Sequence, residues 1–96
     1  MNIKKTVTGN TAVMEIEGWL NTQTASELGE ALETLESNVT ELIVDMSALE
    51  YISSSGLRQI VAAYKKMDGH LTIKNVSPEI MDVFNMTGLS KKLHII

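Results

Sequence analysis

One stretch of the chain, residues 42–64, constrains the fold more than any other, because it predicts a strand, a polar loop and a helix in immediate succession. The apolar run Leu42–Val44 is typical of a central strand that is covered on both faces. The spacing of an amphipathic helix follows at Leu57, Ile60, Val61 and Tyr64. Between them lie three serines and a glycine, Ser53–Gly56, which we call the serine loop. The stretch therefore predicts a hydroxyl-rich loop at a helix N-terminus.

Alternating hydrophobicity predicts the strands outside this stretch. A hairpin is predicted at the N-terminus, where a Gly9-Asn10 turn separates two alternating segments whose apolar residues include Ile3, Val7, Ala12, Met14 and Ile16. A later strand is predicted around Leu71 and Ile73, and residues 93–96 predict a short strand or a helical tail.

Capping residues predict where the helices begin. Thr24 and Glu27 have the spacing of a capping box, and a first helix follows with the apolar stripe Ala25, Leu28, Leu32 and Leu35. The second helix is predicted from about Ser54 to Met67. Ser77-Pro78-Glu79 predicts the start of a third helix, which Gly88 closes. The chain as a whole predicts one α/β domain over residues 1–96, with a mixed, mostly parallel sheet, an N-terminal hairpin and about four helices packed on it.

Composition argues against several classes of function. The 96 residues can bury one core, and a net charge of −4 with a single arginine, Arg58, argues against nucleic acid as a partner. No run approaches the length of a membrane span, and polar residues after Lys5 interrupt any signal-peptide core. Zero cysteines exclude disulfides and thiolate sites. We therefore expect a cytoplasmic protein with no membrane insertion.

The residue types that carry catalysis do not form a recognisable set. The segment Ser53–Gly56 resembles a nucleophile elbow, since serine lies between a strand and a helix, but the first glycine of Gly-x-Ser-x-Gly is missing and no acid–histidine pair lies nearby. His70 and His94 are expected to be solvated or to cap elements, and Asp45 is expected to accept hydrogen bonds from loop N–H groups of residues 48–50. No Walker loop is present. We expect no enzyme activity, no metal and no cofactor.

The serine loop supports two interpretations from the residues alone. The first turn of a helix has unpaired N–H groups and a partial positive charge, so it suits a capping hydroxyl or an anion such as a phosphate on serine. Capping is the commoner role of a serine before a helix, and the residues by themselves favour it.

Three segments follow one another in an order that matches a known family. The first is Gly18–Ala25, the second joins Asp45–Ser47, Tyr51-Ile52 and Ser53–Leu57, and the third joins Asn75–Pro78 to Val83–Leu89. Together they resemble the STAS domain family, and within it the bacterial anti-sigma-factor antagonists. That family has Gly-x-Leu-Asp before the first helix, and Asp-Leu-Ser followed by Asp-Ser-Ser/Thr-Gly-Leu at the second. The likeness covers nearly the whole chain.

The resemblance implies a phosphorylation switch. In such families an anti-sigma factor with serine kinase activity phosphorylates a serine at the helix start, and a serine phosphatase removes the phosphate. The unphosphorylated form binds the anti-sigma factor and frees the sigma factor. The family's phosphorylated serine corresponds to Ser54, with Ser55 and Ser53 as alternatives. The partner-binding residues that the resemblance implies are Asn21, Thr22, Ser53, Ser54, Ser55, Gly56 and Arg58.

The sequence departs from the family pattern at two positions near the serine. Ser53 and Asn21 each stand where the family has an aspartate, and both can still form the hydrogen bonds of the loop. Two other functions stay open: a STAS subunit of a larger complex that is not phosphorylated, such as a partner in a lipid-transport assembly, and a small-ligand module that uses the loop as an anion cradle.

Two further features have two interpretations each. Trp19 is either a core residue or a partly exposed anchor for the partner. The first helix carries Glu27, Glu30, Glu33 and Glu36, which predict a solvated face, with a patch for a basic partner as the alternative.

Overall fold

The computed structural model describes residues 1–96, and its elements follow the predicted order. The elements are β1 (Asn2–Thr8), β2 (Thr11–Leu20), α1 (Ala25–Glu33), β3 (Glu41–Ile52), α2 (Ser54–Lys66), β4 (Leu71–Lys74), α3 (Pro78–Met86), a 3₁₀ turn (Leu89–Lys91) and β5 (His94–Ile95). The strands form one sheet in the order β1-β2-β3-β4-β5. β1 and β2 are antiparallel and the other neighbours are parallel. The predicted N-terminal hairpin and mixed, mostly parallel sheet are therefore confirmed.

The prediction of about four helices is wrong, because the chain has three α-helices. α3 ends before Gly88, whose φ of +78° is left-handed and does not continue a helix. The residues after it form only the 3₁₀ turn and then β5, which pairs with β4. The N–H of Ile96 also donates to the carbonyl of Ile73 at 2.9 Å. The C-terminal residues therefore form an edge strand, so the predicted short strand is observed and the helical tail is not.

The core joins one face of the sheet to the buried stripes of the helices. Every second residue is buried from Ala12 to Ile16 in β2 and from Leu42 to Met46 in β3, as expected for strands with one covered face. Beyond Met46 the buried residues of β3, Leu49 and Ile52, are three residues apart. Ile43 and Asp45 on β3 are only half-buried, so the expectation that β3 is covered on both faces is wrong. The largest fully buried side chains are Phe84, Met14, Ile16, Leu20, Leu28, Leu42, Met46, Ile60, Leu71, Ile73, Ile80 and Val44.

β3 lies in the centre of the sheet as predicted, but it continues well beyond Asp45. It stays paired with β2 as far as Leu20 opposite Ile52, through two register shifts in which β3 uses one residue more than β2. Such bulges sharpen the local twist and redirect the strand. Gly18, with a φ of +98°, lies at the second shift. Because of the two shifts, β2 and β3 end side by side, immediately before the loops that lead into α1 and α2.

Candidate functional site

The serine loop and the β2–α1 loop are joined where β2 and β3 end. The N–H of Ser53 donates to the carbonyl of Leu20 at 2.9 Å. The hydroxyls of Thr22 and Ser55 lie 3.3 Å apart, within hydrogen-bonding distance. The two loops, which come from different strands, therefore form one surface.

The three serines of the loop have different environments. Ser53 is the N-cap of α2: its backbone is extended and its Oγ accepts a hydrogen bond from the N–H of Gly56 at 3.3 Å. Ser55 is half-buried and its hydroxyl faces Thr22. Ser54 is the first residue of the helix and is exposed. One serine therefore caps the helix, as the residues alone favoured, and Ser54 is the serine that is exposed.

Gly56 allows the start of α2 to pack directly against β2. A Cβ atom at this position would lie 2.7 Å from Cγ of Leu20 and 3.0 Å from the Leu20 carbonyl oxygen, distances that real Cβ atoms rarely show. Glycine is suited to such a close approach of backbone to backbone. The absence of a side chain at position 56 therefore lets the serine loop lie this close to the end of β2.

The capping box predicted at Thr24 is not formed, and Asn21 organises the turn before α1 instead. Thr24 makes no side-chain cap bond; its hydroxyl donates to the carbonyl of Trp19 at 2.7 Å and accepts from the N–H of Asn21 at 2.9 Å. Oδ1 of Asn21 accepts from the N–H groups of Gln23, at 3.0 Å, and Thr24, at 3.1 Å. The Thr24 hydroxyl is therefore bonded to the backbone before the helix and not to the N–H of Glu27, and the Thr24 N–H that the Glu27 side chain would bind in a capping box is taken by Asn21. Asn21 can make these bonds with an amide oxygen in place of a carboxylate.

Trp19 is exposed, so the core interpretation of this residue is wrong. Its exposed fraction is 56%, whereas the next residue, Leu20, is completely buried. Trp19 is paired across the strands with Tyr51, which is 44% exposed, and their ring centroids lie 5.2 Å apart. The sequence does not predict the pairing of Tyr51 with Trp19, because the register that places the two residues opposite each other depends on the two bulges.

Arg58 lies about one helical turn after Ser54, and both line a groove between α2 and the segment that follows α3. The groove has a volume of about 420 Å³, and its lining residues are Ser54, Leu57, Arg58, Val61, Lys65, Thr87 and Leu89. Asn21 and Thr22 therefore lie on the loop beside the serine loop, and Arg58 lies on α2, where it shares the groove with Ser54.

Asp45 does not bind residues 48–50 as expected. Its Oδ1 accepts from the N–H of Ser47 at 2.9 Å and from Nδ2 of Asn75 at 3.3 Å. Burial by itself would raise the pKa of Asp45, but hydrogen bonds from Ser47 and Asn75 and the charge of Lys74 together hold that pKa below its ordinary value. Asp45 thus joins the first bulge of β3 to the β4–α3 loop.

Two surface ion pairs join single bases to single acids. His70 Nδ1 lies 2.9 Å from Glu41 Oε1, and Lys5 Nζ lies 3.6 Å from Glu36 Oε1. The prediction that the first helix carries Glu36 is wrong, because α1 ends at Glu33. No group of three or more histidine or acidic residues is arranged to hold a metal ion. None of the helices combines the length and the apolar character that a membrane crossing requires.

Sequence comparison finds one family whose model matches nearly the whole chain. The model of the STAS domain matches residues 2–96. The anti-sigma-B factor antagonist of Staphylococcus aureus is 29% identical over 99 residues, which cover 99% of this chain and 92% of that protein. BtrV of Bordetella bronchiseptica, a candidate anti-sigma factor antagonist, is 27% identical over 77 residues. That match covers 76% of this chain and 66% of BtrV, slightly less than two thirds of its length.

Solved structures show the same fold. The anti-sigma factor antagonist SpoIIAA in its unphosphorylated form superposes with a TM-score of 0.76 and 20% identity, over 99% of this chain and 87% of SpoIIAA. The phosphorylated form of Bacillus SpoIIAA gives a TM-score of 0.68 and 22% identity, over 99% of this chain and 91% of that protein. At such identity the likeness establishes the fold alone.

Proposed function

The chain belongs to the STAS domain family, and on that premise we propose that it is an anti-sigma-factor antagonist, a binding protein and not an enzyme. Its partner surface is the serine loop with Asn21, Thr22 and Arg58. An anti-sigma factor with serine kinase activity binds this surface and phosphorylates Ser54, and a serine phosphatase reverses the modification. Residues 1–96 act in the cytoplasm as one STAS domain.

The exposure of Ser54 is the observation that carries this proposal. Of the three serines, Ser54 is the exposed one, whereas Ser53 caps the helix and Ser55 faces Thr22. A kinase needs access to the hydroxyl oxygen, and modification of Ser54 leaves the cap bond in place. The relatives support the role, since they include antagonists of anti-sigma factors and a protein solved in both phosphorylation states.

Charge explains how a phosphate on Ser54 releases a partner without unfolding the domain. A phosphate adds roughly −1.5 to −2 charges. α2 has no acidic residue in its first turn, so the phosphate stabilises this helix end by about 0.3–1 kcal/mol. Across an interface packed on the serine loop, like-charge contact costs several kcal/mol. The effect on binding therefore exceeds the effect on folding.

The exposed aromatic pair extends the proposed partner surface. Trp19 and Tyr51 lie two residues before Asn21 and Ser53, so both side chains are placed beside the serine loop. Tryptophan and tyrosine are enriched among the residues that dominate binding energy in protein interfaces. We assign Trp19 the role of a partner anchor.

An alternative function is a STAS subunit of a larger assembly, such as a lipid-transport complex, that binds its partner without phosphorylation. The specific observation that favours it is the lack of a carboxylate at positions 21 and 53, where the family has aspartate. In this alternative Ser54 is simply an exposed contact residue.

A pull-down from the source cells, with mass spectrometry of the partners and of residues 53–55, separates the two functions. The antagonist predicts an anti-sigma factor among the partners and phosphate on Ser54. Binding of that factor is then compared for the wild type, Ser54→Asp, Ser54→Ala and a control, Ser37→Asp. Ser37 is an exposed serine that lines a depression with Met67 and Asp68, at the opposite end of α2.

Ser54→Asp should weaken binding by at least about tenfold, because it places a charge inside the interface. Ser54→Ala and Ser37→Asp should bind like the wild type. Equal affinity of all four proteins, with a transporter component as the captured partner, would contradict the switch and support the subunit alternative.

A further inference from the structure

A groove between α2 and the segment after α3 is lined by cations and by no acidic residue. Although the net charge is −4, five of the eight lysines and arginines lie on α2 or at the 3₁₀ turn: Arg58, Lys65, Lys66, Lys91 and Lys92. Two of them, Arg58 and Lys65, line the groove between α2 and the segment after α3, and no acidic residue does. Lys92 Nζ lies just beyond it, 5.7 Å from the ring centroid of Tyr64. The groove is therefore a basic surface on an acidic protein.

The same groove offers apolar surface to a ligand. Leu57, Val61 and Leu89 are its three hydrophobic lining residues. Met86, directly before the lining residue Thr87, has an exposed fraction of 86%, the highest among the large hydrophobic side chains that are exposed. A methionine in such a position suits an adaptable binding surface. Cations together with apolar side chains fit a segment that is itself both acidic and apolar.

We propose that this groove docks a segment of the anti-sigma partner that carries carboxylates and a large apolar side chain. The partner surface then continues from the serine loop along α2 as far as Lys65. This inference rests on the proposed function, and it adds a second contact region and the chemistry of the partner segment that fills it.

The position of Ser54 connects the groove to the switch. Ser54 lines the groove together with Arg58, so a phosphate on Ser54 brings negative charge to the surface on which the acidic segment docks. The phosphate and the carboxylates of the partner then compete for the same guanidinium group, which is a strong partner for either anion. Phosphorylation therefore releases the partner both by repulsion and by occupying Arg58.

Charge reversal at two neighbouring lysines tests the groove. Lys65 lines it, whereas Lys66 lines the depression on the other side of α2, with Leu35 and Ser37. Both lysines are exposed, so Lys65→Glu and Lys66→Glu make the same change of charge on the same helix. Binding of the anti-sigma factor captured from the source cells is measured at low and at high salt, after circular dichroism has shown that both variants fold.

Lys65→Glu should weaken binding about tenfold at low salt, and Lys66→Glu should stay within about twofold of the wild type. High salt should reduce the difference. Met86→Ser, an exposed change, should also weaken binding. If the wild type binds no anti-sigma factor, the proposed function fails and this inference with it. If the wild type binds and the two lysine variants bind equally, the inference about the groove is wrong and the proposed function stands.

Vesicles containing phosphatidylglycerol test a different occupant, a membrane surface. If the wild type sediments with them, Lys65→Glu does not, and both bind the anti-sigma factor equally, the groove binds anionic lipid and the inference is overturned. No sedimentation with the vesicles, together with a partner affinity that depends on Lys65, supports it.

Discussion

The starts of α2 and α3 are built on the same cap and differ in the residues after it. Ser53 and Ser77 both have an extended backbone, and each Oγ accepts a hydrogen bond of 3.3 Å from the N–H three residues later. After its cap α3 has Pro78, Glu79 and the buried Ile80, whereas the serine loop continues with two serines and a glycine. The acid of α3 complements the helix dipole, and α2 has no acid in its first turn.

The two helix starts are also held to the sheet by different groups. The N–H of Ser53 donates directly to Leu20, so α2 is held by a backbone bond. The loop before α3 contains Asn75, whose side chain donates to the carboxylate of Asp45. A helix start that contains its own acid and anchors a core residue serves stability. One that lacks an acid and exposes a hydroxyl is suited to receive charge from outside.

The largest expected effect on stability is at the third residue of α3. Ile80 is 2% exposed, and Ile80→Ala leaves a cavity in the core. It should lower the free energy of unfolding by about 2–5 kcal/mol. Urea denaturation measures it, with Asp82→Ala, an exposed neighbour, as the control within about 0.5 kcal/mol of the wild type. A loss as small as that of the control would mean that α3 does not anchor the core.

The corresponding residue of α2 is Gly56, where adding an atom, and not removing one, should destabilise the protein. The new Cβ of Gly56→Ala crowds Leu20, and this should lower the free energy of unfolding by about 1–3 kcal/mol. The better helix propensity of alanine offsets roughly 1 kcal/mol of that loss. Gly29→Ala in α1 is the control, because its new Cβ meets only the flexible end of the Gln59 side chain, at 3.1 Å. Thermal melting should show a loss for the first variant and no loss for the second. A stabilised Gly56→Ala would contradict the close approach.

The two caps should be equivalent. Ser53→Ala and Ser77→Ala should each cost about 0.5–1 kcal/mol, at the lower end for caps because both bonds are long. Ser54→Ala, which removes no cap bond, should stay within about 0.5 kcal/mol of the wild type. Chemical denaturation of the three variants in one buffer is the measurement. If Ser54→Ala cost more than Ser53→Ala, Ser54 would be the cap and would be poorly placed as a modification site.

The smallest expected effect on stability concerns the Asp45 carboxylate, which accepts a hydrogen bond from Asn75 in the loop before α3. The pKa of Asp45 in the folded protein lies below its ordinary value of 3.8, so the ionised carboxylate favours the folded state. This contribution is present above about pH 3.8 and is lost as the pH falls through the lowered pKa. Asp45→Asn should therefore weaken the fall in melting temperature between about pH 5 and about pH 3. Glycine tolerates the φ of 59° at position 75 but has no side-chain donor for Asp45, so Asn75→Gly should partly weaken the same fall in melting temperature. Identical acid dependence in all three proteins would rule out the effect.

The elements of the fold were predictable because their signals are local. The hairpin turn, the serine caps of α2 and α3, and the left-handed Gly88 lie within about one helical turn of the structure that each one determines. At the start of α1 the local pattern gave a wrong prediction, the capping box of Thr24 and Glu27. The Thr24 hydroxyl is bonded to the backbone of Trp19 and Asn21, and Oδ1 of Asn21 accepts from the Thr24 N–H, so the capping box spacing produces no side-chain cap. Two local signals competed there, and the pattern alone did not rank them.

The features of the candidate site also fall into those that local sequence determines and those that depend on tertiary contacts. The sequence by itself determined that a hydroxyl-rich loop begins α2, since periodicity and capping act over one helical turn. Only the tertiary structure decided which serine is exposed, that Trp19 lies outside the core beside Tyr51, and that Lys65 and Leu89 line one groove with Ser54. These depend on the register of β2 against β3 through two bulges and on how the segment after α3 packs on α2. Such contacts join residues far apart in the chain, so no local pattern specifies them.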